Sequence, residues 1–228
     1  MKVTKIAKFI VIEGTDGSGK AEQFNRLLLA LPAELKFRSI DFPRYSEPSA
    51  YAVTEYLNGR YGLEVNAYQA SLLYAIDRFD AKLKMTHWLE EGYTIIANRY
   101  VASNMGHQGA KIEDKKEREK FFGWIYDFEY NLLGIPKPDL NIILHVPAEI
   151  SQMLILKKKP REYLEGKKKD IHEAGVEYQK RAEQVYLEIA NMFPSDFRVV
   201  ECVEGGTLLS PEAIHKKVWS IVQTALGI

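Results

Sequence analysis

The stretch FIVIEGTDGSGK over 9–20 constrains the fold of this chain more than any other segment. A short apolar run, typical of a buried strand, leads directly into a glycine-rich loop. Gly14, Gly19 and Lys20 have the spacing of a G-x-x-x-x-G-K phosphate-binding loop. Backbone N–H groups in such a loop, and the positive end of the helix that follows, surround phosphate oxygens, and the lysine adds a full charge. The segment therefore predicts a strand, a phosphate-binding loop and a helix, in that order.

The position after Lys20 departs from the usual form of this loop. Ala21 stands where Ser or Thr normally offers a hydroxyl to Mg²⁺, and Glu22 follows it. The negative charge of Glu22 is unfavourable beside a phosphate unless its side chain turns outward. A glycine-rich turn without any ligand is the alternative interpretation, but such a turn has no need for the charge of Lys20.

Size, charge and cysteine content favour one ordinary α/β domain over residues 1–228. Hydrophobic residues make up 46% of the 228 residues, and 31 Lys and Arg balance 31 Asp and Glu. A formal net charge of zero gives no support for a general affinity for nucleic acid or anionic membranes. The single Cys202 excludes an intrachain disulfide and is expected to pack in a late strand. No apolar segment approaches the roughly 20 residues of a membrane span, so we expect a cytoplasmic protein.

Apolar runs alternate with helical patterns along the chain, which predicts a five-stranded parallel sheet with helices on both faces. Ligands of such sheets bind at the carboxyl ends of the strands. There the loop after Glu13, the turn over 41–44 and residues 98–100 are expected to meet. Strands are expected over 9–12, 37–40, 94–97, 140–146 and 197–202. Helices are expected over 20–31, 49–57, 67–90, 115–133, 148–156, 173–192 and 211–226.

A basic segment, KKKPREYLEGKKK over 157–169, interrupts this alternation with seven cations and no apolar face. One interpretation is a mobile lid, over about 157–171, that places cations above bound phosphates. A solvated loop or a localisation-like tract is the alternative. Acidic neighbours dilute the charge, which argues against a nucleic-acid-binding tail.

Four segments in this order resemble the thymidylate kinase family of P-loop nucleoside-monophosphate kinases. They are IEGTDGSGK over 12–20, FPRY over 42–45, LLYAIDRF over 72–79 and NRYVASNMGHQGAK over 98–111. The resemblance implies a three-layer P-loop kinase fold with a mobile lid. It also implies transfer of the ATP γ-phosphoryl group to dTMP with Mg²⁺, giving dTDP, and a homodimer. ATP is then expected at Gly14, Gly17, Ser18, Gly19, Lys20, Ala21 and Glu22.

The resemblance also implies roles at the reaction centre. Lys20 would hold the donor phosphates, while Arg44 and Arg99 would hold the phosphate of the acceptor. Asp16 matches a carboxylate that the family places near the sugar 3′-hydroxyl and the transferred group. Arg161, the only arginine of the basic segment, would cover that group when the lid closes.

At the base, Tyr74 would stack on thymine and Arg78 would hydrogen-bond it, as suits a flat ring and a rigid guanidinium. His107 occupies a position where the family often has Tyr or Phe, which leaves deoxyribose selectivity open. The ordinary alternatives are that Tyr74 and Phe79 are core aromatics and that Arg78 pairs with Asp77 on the surface. The dTMP-binding set expected from the resemblance is Asp16, Phe42, Arg44, Tyr74, Arg78, Arg99, Ser103, Asn104, His107, Gln108 and His172.

The metal site departs from the family pattern. Asn98 replaces an aspartate that reaches Mg²⁺ through water, so with Ala21 both usual protein contacts change. Asp16 and Asn98 remain as candidate metal residues. One interpretation is an active kinase with weaker metal affinity, since Mg²⁺ takes much of its binding from phosphates. The others are a non-catalytic nucleotide-binding regulator or partner subunit, and a kinase for another nucleoside monophosphate. The retention of Lys20 together with the acceptor arginines favours activity on dTMP.

Overall fold

A five-stranded parallel sheet forms the centre of the molecule. The structure, a computed structural model, describes residues 7–62, 64–156 and 176–228. The strands are β1 (Phe9–Glu13), β2 (Phe37–Asp41), β3 (Thr94–Asn98), β4 (Leu140–His145) and β5 (Phe197–Glu201). Their spatial order is β2-β3-β1-β4-β5, and every neighbouring pair is parallel. The predicted sheet is confirmed, and each strand begins at the expected residue because each apolar run starts there.

Helices cover both faces of the sheet and make three layers. Alternate residues of β1 enter different cores: Phe9 and Val11 pack into one, Ile10 and Ile12 into the other. This is the period-two alternation of a strand buried on both faces. No helix in the described ranges is long and apolar enough to cross a membrane. The helices are α1 (Lys20–Ala30), α2 (Tyr51–Leu57), α3 (Ala67–Glu90), α4 (Val101–Gly109), α5 (Lys115–Tyr126), α6 (Ala148–Leu156), α7 (Val176–Met192) and α8 (Pro211–Leu226).

Helix α4 was not expected from the sequence. It is only nine residues long, and every residue of it except Ser103 is buried, so it has no polar surface face to identify it. Most of its side chains are small or polar, which lets it pack closely against α7. A Cβ added at Gly106 would overlap the ring of Tyr186, so glycine is needed for this close contact.

Two predicted helices differ in detail from the structure. The helix expected over 115–133 ends at Tyr126 and continues as a π-helical turn over Asp127–Leu132. In that turn Leu133 N–H donates to the carbonyl of Phe128, five residues earlier, at 2.9 Å. The helix expected over 49–57 begins as a 3₁₀ turn over Pro48–Ala50. The helix expected over 173–192 is described from Val176, and the lid expected over 157–171 lies outside the described residues.

A short hairpin follows the sheet. Strands β6 (Val203–Glu204) and β7 (Thr207–Leu208) pair antiparallel across Gly205 and Gly206, both with positive φ. Cys202, just before the hairpin, is fully buried as expected, and burial raises the pKa of its thiol to about 12. Its thiol therefore stays protonated at neutral pH and contributes packing rather than chemistry.

Candidate active site

A cavity of about 270 Å³ opens at the carboxyl ends of β1, β2 and β3. This is the edge at which parallel α/β sheets bind their ligands. At one end it is lined by the phosphate-binding loop and the start of α1, and at the other by α3 and α4. Both halves of the predicted site therefore face one space. The loop residues that line it are Asp16, Gly17, Gly19, Lys20 and Ala21.

The loop conformation depends on glycine at two positions. Gly14 has φ +140°, and a Cβ there would lie 2.7 Å from the carbonyl oxygen of Leu144 in β4. Gly17 has φ +85°, and a Cβ there would overlap the backbone of Ser151 in α6. The loop therefore packs directly against β4 and α6. Helix α1 begins at Lys20, whose Nζ donates to the carbonyl of Thr15 at 2.7 Å.

The two unusual residues after Lys20 lie differently. Glu22 is exposed, and its carboxylate accepts from Arg26 Nε at 2.5 Å along the outer face of α1. Its charge is thereby turned outward and neutralised, which removes the conflict with a bound phosphate. Ala21 does line the cavity, so the missing hydroxyl is a real change in the site. Gly14 and Ser18 support the loop without lining the cavity.

Arg99 directly follows β3 and adopts φ +66°, in the left-handed region that non-glycine residues rarely adopt. Its N–H donates to the carbonyl of Ile12 in β1 at 3.0 Å, which fixes the backbone. Its guanidinium forms a salt bridge with Asp16 and contacts His107 Nε2 at 3.1 Å. Burial alone would lower the pKa of Arg99, but Asp16 raises it, so its net pKa lies above its ordinary value. A permanent cation therefore faces the loop across the cavity.

Glu13 supports the site and is a residue that the sequence analysis did not single out. This fully buried carboxylate ends β1 and accepts from the N–H groups of Tyr100, at 2.7 Å, and Ser103, at 3.2 Å. It also accepts from the Ser103 hydroxyl at 2.7 Å and the Tyr186 hydroxyl at 3.2 Å. The carboxylate thus caps α4 from a neighbouring strand and holds the segment that carries Arg99. The sequence signal was a carboxylate at the end of an apolar strand.

Asp41 is a second residue of the site that the sequence analysis did not single out. In the sheet register it lies opposite Asn98, and Asn98 Nδ2 donates to its carboxylate at 3.0 Å. Asp41 is an exposed residue that lines the cavity, and the surrounding protein partly buries its carboxylate. That burial raises its pKa, while the Asn98 hydrogen bond and the charges of Arg99 and Lys20 lower it; the net shift is upward. Its carboxylate lies near Lys20 and Arg99, at the end of the cavity that the phosphate-binding loop lines.

The buried Oδ1 atom of Asn98 accepts no hydrogen bond from any residue that the structure describes. Within that same part of the chain, no group of three His, Cys, Asp or Glu is placed to hold a metal ion. The Asn98 amide and the carboxylates of Asp16 and Asp41 line the same cavity, and oxygen donors of these kinds suit Mg²⁺. These residues fit an ion that keeps waters and is held largely by phosphates.

The end of the cavity where the base is expected, here called the base end, is lined by seven residues of the predicted set: Phe42, Tyr74, Arg78, Ser103, Asn104, His107 and Gln108. Tyr74 lies edge-on to Tyr56, with ring centroids 6.2 Å apart. Arg78 does not pair with Asp77 but with the buried Glu129, so the surface ion pair is ruled out. Phe79 is 50% exposed, and the alternative of a core aromatic is wrong for it.

Arg44 lies beside the cavity rather than in its lining. Its guanidinium donates to Asp77 at 2.9 Å, to Asp80 at 2.6 Å and to the hydroxyl of Ser49 at 2.8 Å. Its phosphate-binding role therefore stays a prediction that requires these contacts to exchange. Arg161 and His172 lie outside the described residues.

Comparisons with known proteins agree on one family. A family model described as thymidylate kinase matches residues 12–205. A thymidylate kinase of Mycobacterium tuberculosis is 34% identical over 185 residues, which cover 79% of this chain and 85% of the relative. A probable thymidylate kinase of Thermococcus gammatolerans is 30% identical over 94% of this chain and 95% of its own. A solved thymidylate kinase from Candida albicans superposes with a TM-score of 0.73 at 25% identity, over 96% of this chain and 92% of that one. With its phosphate-binding loop, its parallel sheet and these matches, the chain belongs to the thymidylate kinase family.

Proposed function

We infer that this chain transfers the γ-phosphoryl group of ATP to dTMP, giving ADP and dTDP on the route to dTTP. Its membership of the thymidylate kinase family supports this activity. The single structural observation that carries it is that Lys20 and Arg99 line the same cavity. A donor phosphate chain at the loop and an acceptor phosphate at Arg99 then meet end to end, as in-line transfer requires.

The residues act mainly by positioning and by charge. Loop N–H groups and Lys20 hold the β- and γ-phosphates, while Arg99 orients the acceptor phosphate. Asp16 keeps Arg99 aimed at the cavity until the acceptor arrives. A phosphate acceptor is already ionised at neutral pH, so the protein has no proton to remove from the nucleophile. Closure of Arg161 over the transferred group remains part of the proposal.

Mg²⁺ neutralises charge on the β- and γ-phosphates when it is bound. We propose that Asp16, Asp41 and Asn98 hold it from the protein side, partly through waters. The orphaned Asn98 oxygen and the Asp41 carboxylate support this assignment. Because Ala21 offers no hydroxyl, we expect weaker metal binding than a loop with Ser or Thr would give.

The test is ADP formation from ATP with a panel of acceptors: dTMP, dUMP, dCMP, ribothymidine 5′-monophosphate and thymidine. Turnover that requires a 5′-phosphate and is fastest with dTMP supports the proposal, and Lys20→Ala should abolish it. Nucleotide binding without turnover at saturating Mg²⁺ would instead favour a regulatory protein. Faster turnover of ribothymidine 5′-monophosphate than of dTMP would show that the site, with His107 in place of Tyr or Phe, accepts the 2′-hydroxyl.

The assembly and location are also proposed. Helix α3 carries an exposed apolar stripe with spacings of four, four, three and four residues, the pattern of one helical face. Exposed apolar stripes of this kind mark protein–protein contacts, so we propose a homodimer through α3. A cytoplasmic location is proposed because both substrates are polyanions kept inside the cell. The stripe consists of Tyr68, Leu72, Ile76, Phe79 and Leu83.

A further inference from the structure

Glu129 is a fully buried carboxylate at the base end of the cavity, outside the residues that line it. It lies in the π-helical turn after α5 and accepts three hydrogen bonds from side chains. Arg78 Nε donates to Oε2 at 2.5 Å, and Arg78 Nη2 donates to Oε1 at 2.6 Å. Asn104 Nδ2 also donates to Oε1, at 3.0 Å. One carboxylate thus fixes two of the residues that face the base.

The contact with Arg78 determines which of its donors remains for a ligand. Glu129 uses the Nε and Nη2 side of the guanidinium in a two-pronged contact, so the plane of the group is fixed. Nη1 has no partner among the residues that the structure describes, and Arg78 lines the cavity. Arg78 therefore offers a ligand a hydrogen-bond donor and nothing else, because a guanidinium has no acceptor.

The contacts of Asn104 determine the orientation of its amide. Nδ2 donates to Glu129 and also to the carbonyl oxygen of Ser71 at 3.1 Å. A carboxylate and a carbonyl only accept, so both N–H groups must face them and the amide cannot be reversed. Asn104 then has only its Oδ1 acceptor left for a ligand in the cavity that it lines.

We propose that Glu129 sets the hydrogen-bond polarity of the base end of the cavity. By holding Arg78 as a donor and Asn104 as an acceptor, it selects a pyrimidine with a keto oxygen at C4 and a hydrogen on N3. Thymine and uracil present that pattern, whereas cytosine presents the reverse, an amino group at C4 and an acceptor at N3. This inference rests on the proposed function, because it concerns the acceptor of the same reaction.

The π-helical turn supports a positioning role for Glu129. Such turns, which insert one residue into a helix, are rare and are found often at functional sites. Here the turn places a carboxylate in a fully buried position among aromatic side chains, where Arg78 is its counter-ion. A buried carboxylate is costly unless it is paired with a cation and fully hydrogen-bonded. Glu129 meets both conditions, because Arg78 is its cation and both Arg78 and Asn104 donate hydrogen bonds to it.

Glu129→Gln tests the proposal because glutamine keeps the shape but offers one acceptor atom and one donor. It cannot accept from Arg78 Nε, Arg78 Nη2 and Asn104 together, so the orientation of both residues is released. Glu188→Gln is the matched control, since Glu188 makes the same two-pronged contact with Arg118, at 2.8 and 2.9 Å, away from the cavity. Asn104→Ala is the second variant, because it removes the acceptor and leaves the pair of Arg78 and Glu129 in place.

The measurements are kcat and KM for dTMP, dUMP and dCMP, and calorimetric dissociation constants for dTMP and dCMP, which need no turnover. We expect the wild type to prefer dTMP over dCMP by at least about 100-fold, as for two mispaired buried polar groups. Glu129→Gln and Asn104→Ala should each reduce that ratio about 10-fold or more, mainly through the KM of dTMP. Glu188→Gln should leave it unchanged.

Two outcomes overturn the proposal. A wild type that binds dCMP as tightly as dTMP would do so, whether or not it catalyses transfer. So would a Glu129→Gln enzyme that loses activity on dTMP and dCMP equally, because that result indicates a purely structural role. A wild type that binds dTMP selectively but does not phosphorylate it leaves the polarity proposal in place and overturns the proposed kinase activity.

Discussion

Asp16 and Arg99 form a salt bridge across the cavity, although they lie in segments that follow different strands. Arg99 follows β3, Asp16 lies in the loop after β1, and both side chains are largely buried. The carboxylate acts as the counter-ion of Arg99. If Arg99 binds the acceptor phosphate as proposed, that phosphate has to compete with Asp16 for the guanidinium, which the ion pair holds pointing into the cavity.

Replacing Arg99 should remove acceptor binding while leaving donor binding intact. For Arg99→Ala we expect kcat/KM for dTMP to fall by about 100-fold or more, because the acceptor phosphate loses its buried cation. The dissociation constant of ATP should change little, since Lys20 and the loop remain. Arg38→Ala, on the exposed edge strand, is the control and should behave as wild type. Equal rates in Arg99→Ala and wild type would refute the assignment.

Asp41 should contribute to metal binding. In Asp41→Asn we expect a weaker affinity for Mn²⁺ in the presence of ATP, measured by electron paramagnetic resonance, and a higher Mg²⁺ concentration for half-maximal rate. The reason is the loss of the carboxylate beside Asn98. Glu22→Gln is the control: its side chain faces Arg26 on the outer surface of α1 and should have no effect.

Exchanging the side chains of Asp41 and Asn98 tests whether metal affinity depends on having one carboxylate at this pair of positions. The double variant Asp41→Asn, Asn98→Asp moves the carboxylate to β3 and the amide to β2, so we expect it to recover metal affinity that Asp41→Asn loses. Adding Ala21→Ser should lower the Mg²⁺ requirement further by restoring a hydroxyl. If the metal affinity of the double variant instead fell by the sum of the two single losses, the ion would be held elsewhere.

The sequence predicted the sheet and the phosphate-binding loop well because each has a local signal. A buried parallel strand is an apolar run, and the loop has a fixed glycine and lysine spacing. Helix α4 has a weaker signal: it is only nine residues long, contains two glycines, and is buried nearly all round by α3, α5 and α7. The π-helical turn was likewise read as a continuous helix, since one inserted residue leaves the local composition unchanged.

The supporting residues of the site depend on contacts distant in sequence. Glu13 contacts Ser103 across 90 residues, and Arg78 contacts Glu129 across 51. Such pairs follow from the order of the strands and from the packing of α3 against the π-helical turn, not from any motif. The family resemblance therefore identified most of the residues that line the cavity, whereas the structure was needed to find those that hold them in place.

His145 should make stability depend on pH. It lies at the end of β4 between Glu201, 2.6 Å from Nδ1, and Glu183, 2.9 Å from Nε2. Burial lowers the pKa of His145, but the hydrogen bonds to Glu183 and Glu201 raise it more, so its net pKa is above the ordinary 6.5. The protonated form is thus favoured in the folded state. Its stabilisation is complete below about pH 6.5 and is lost as pH rises through the folded-state pKa.

We therefore expect His145→Gln to lower the thermal midpoint at pH 6 by about 2–4 °C, as a loss of about 1 kcal/mol gives in a chain of this size. At pH 9 the variant and the wild type should differ much less. His87→Gln, at an exposed histidine 3.3 Å from Glu91, is the control and should show little effect at either pH. A deficit in His145→Gln that is as large at pH 9 as at pH 6 would contradict the charge-based explanation.

The exposed stripe of α3 should be the contact surface of a homodimer. Leu83 at one end of the stripe is 81% exposed, and the whole stripe lies on one face of a 24-residue helix. A pair of such faces buries apolar area that a monomer leaves in water, at about 25 cal/mol per Å². We expect the wild type to sediment as a dimer at micromolar concentration and Leu83→Glu to shift it toward monomer. Leu29→Glu is the matched control, because Leu29 is equally apolar and 88% exposed but lies on α1, away from the stripe. A monomeric wild type would refute the dimer, and dissociation caused equally by both variants would place the contact somewhere other than α3.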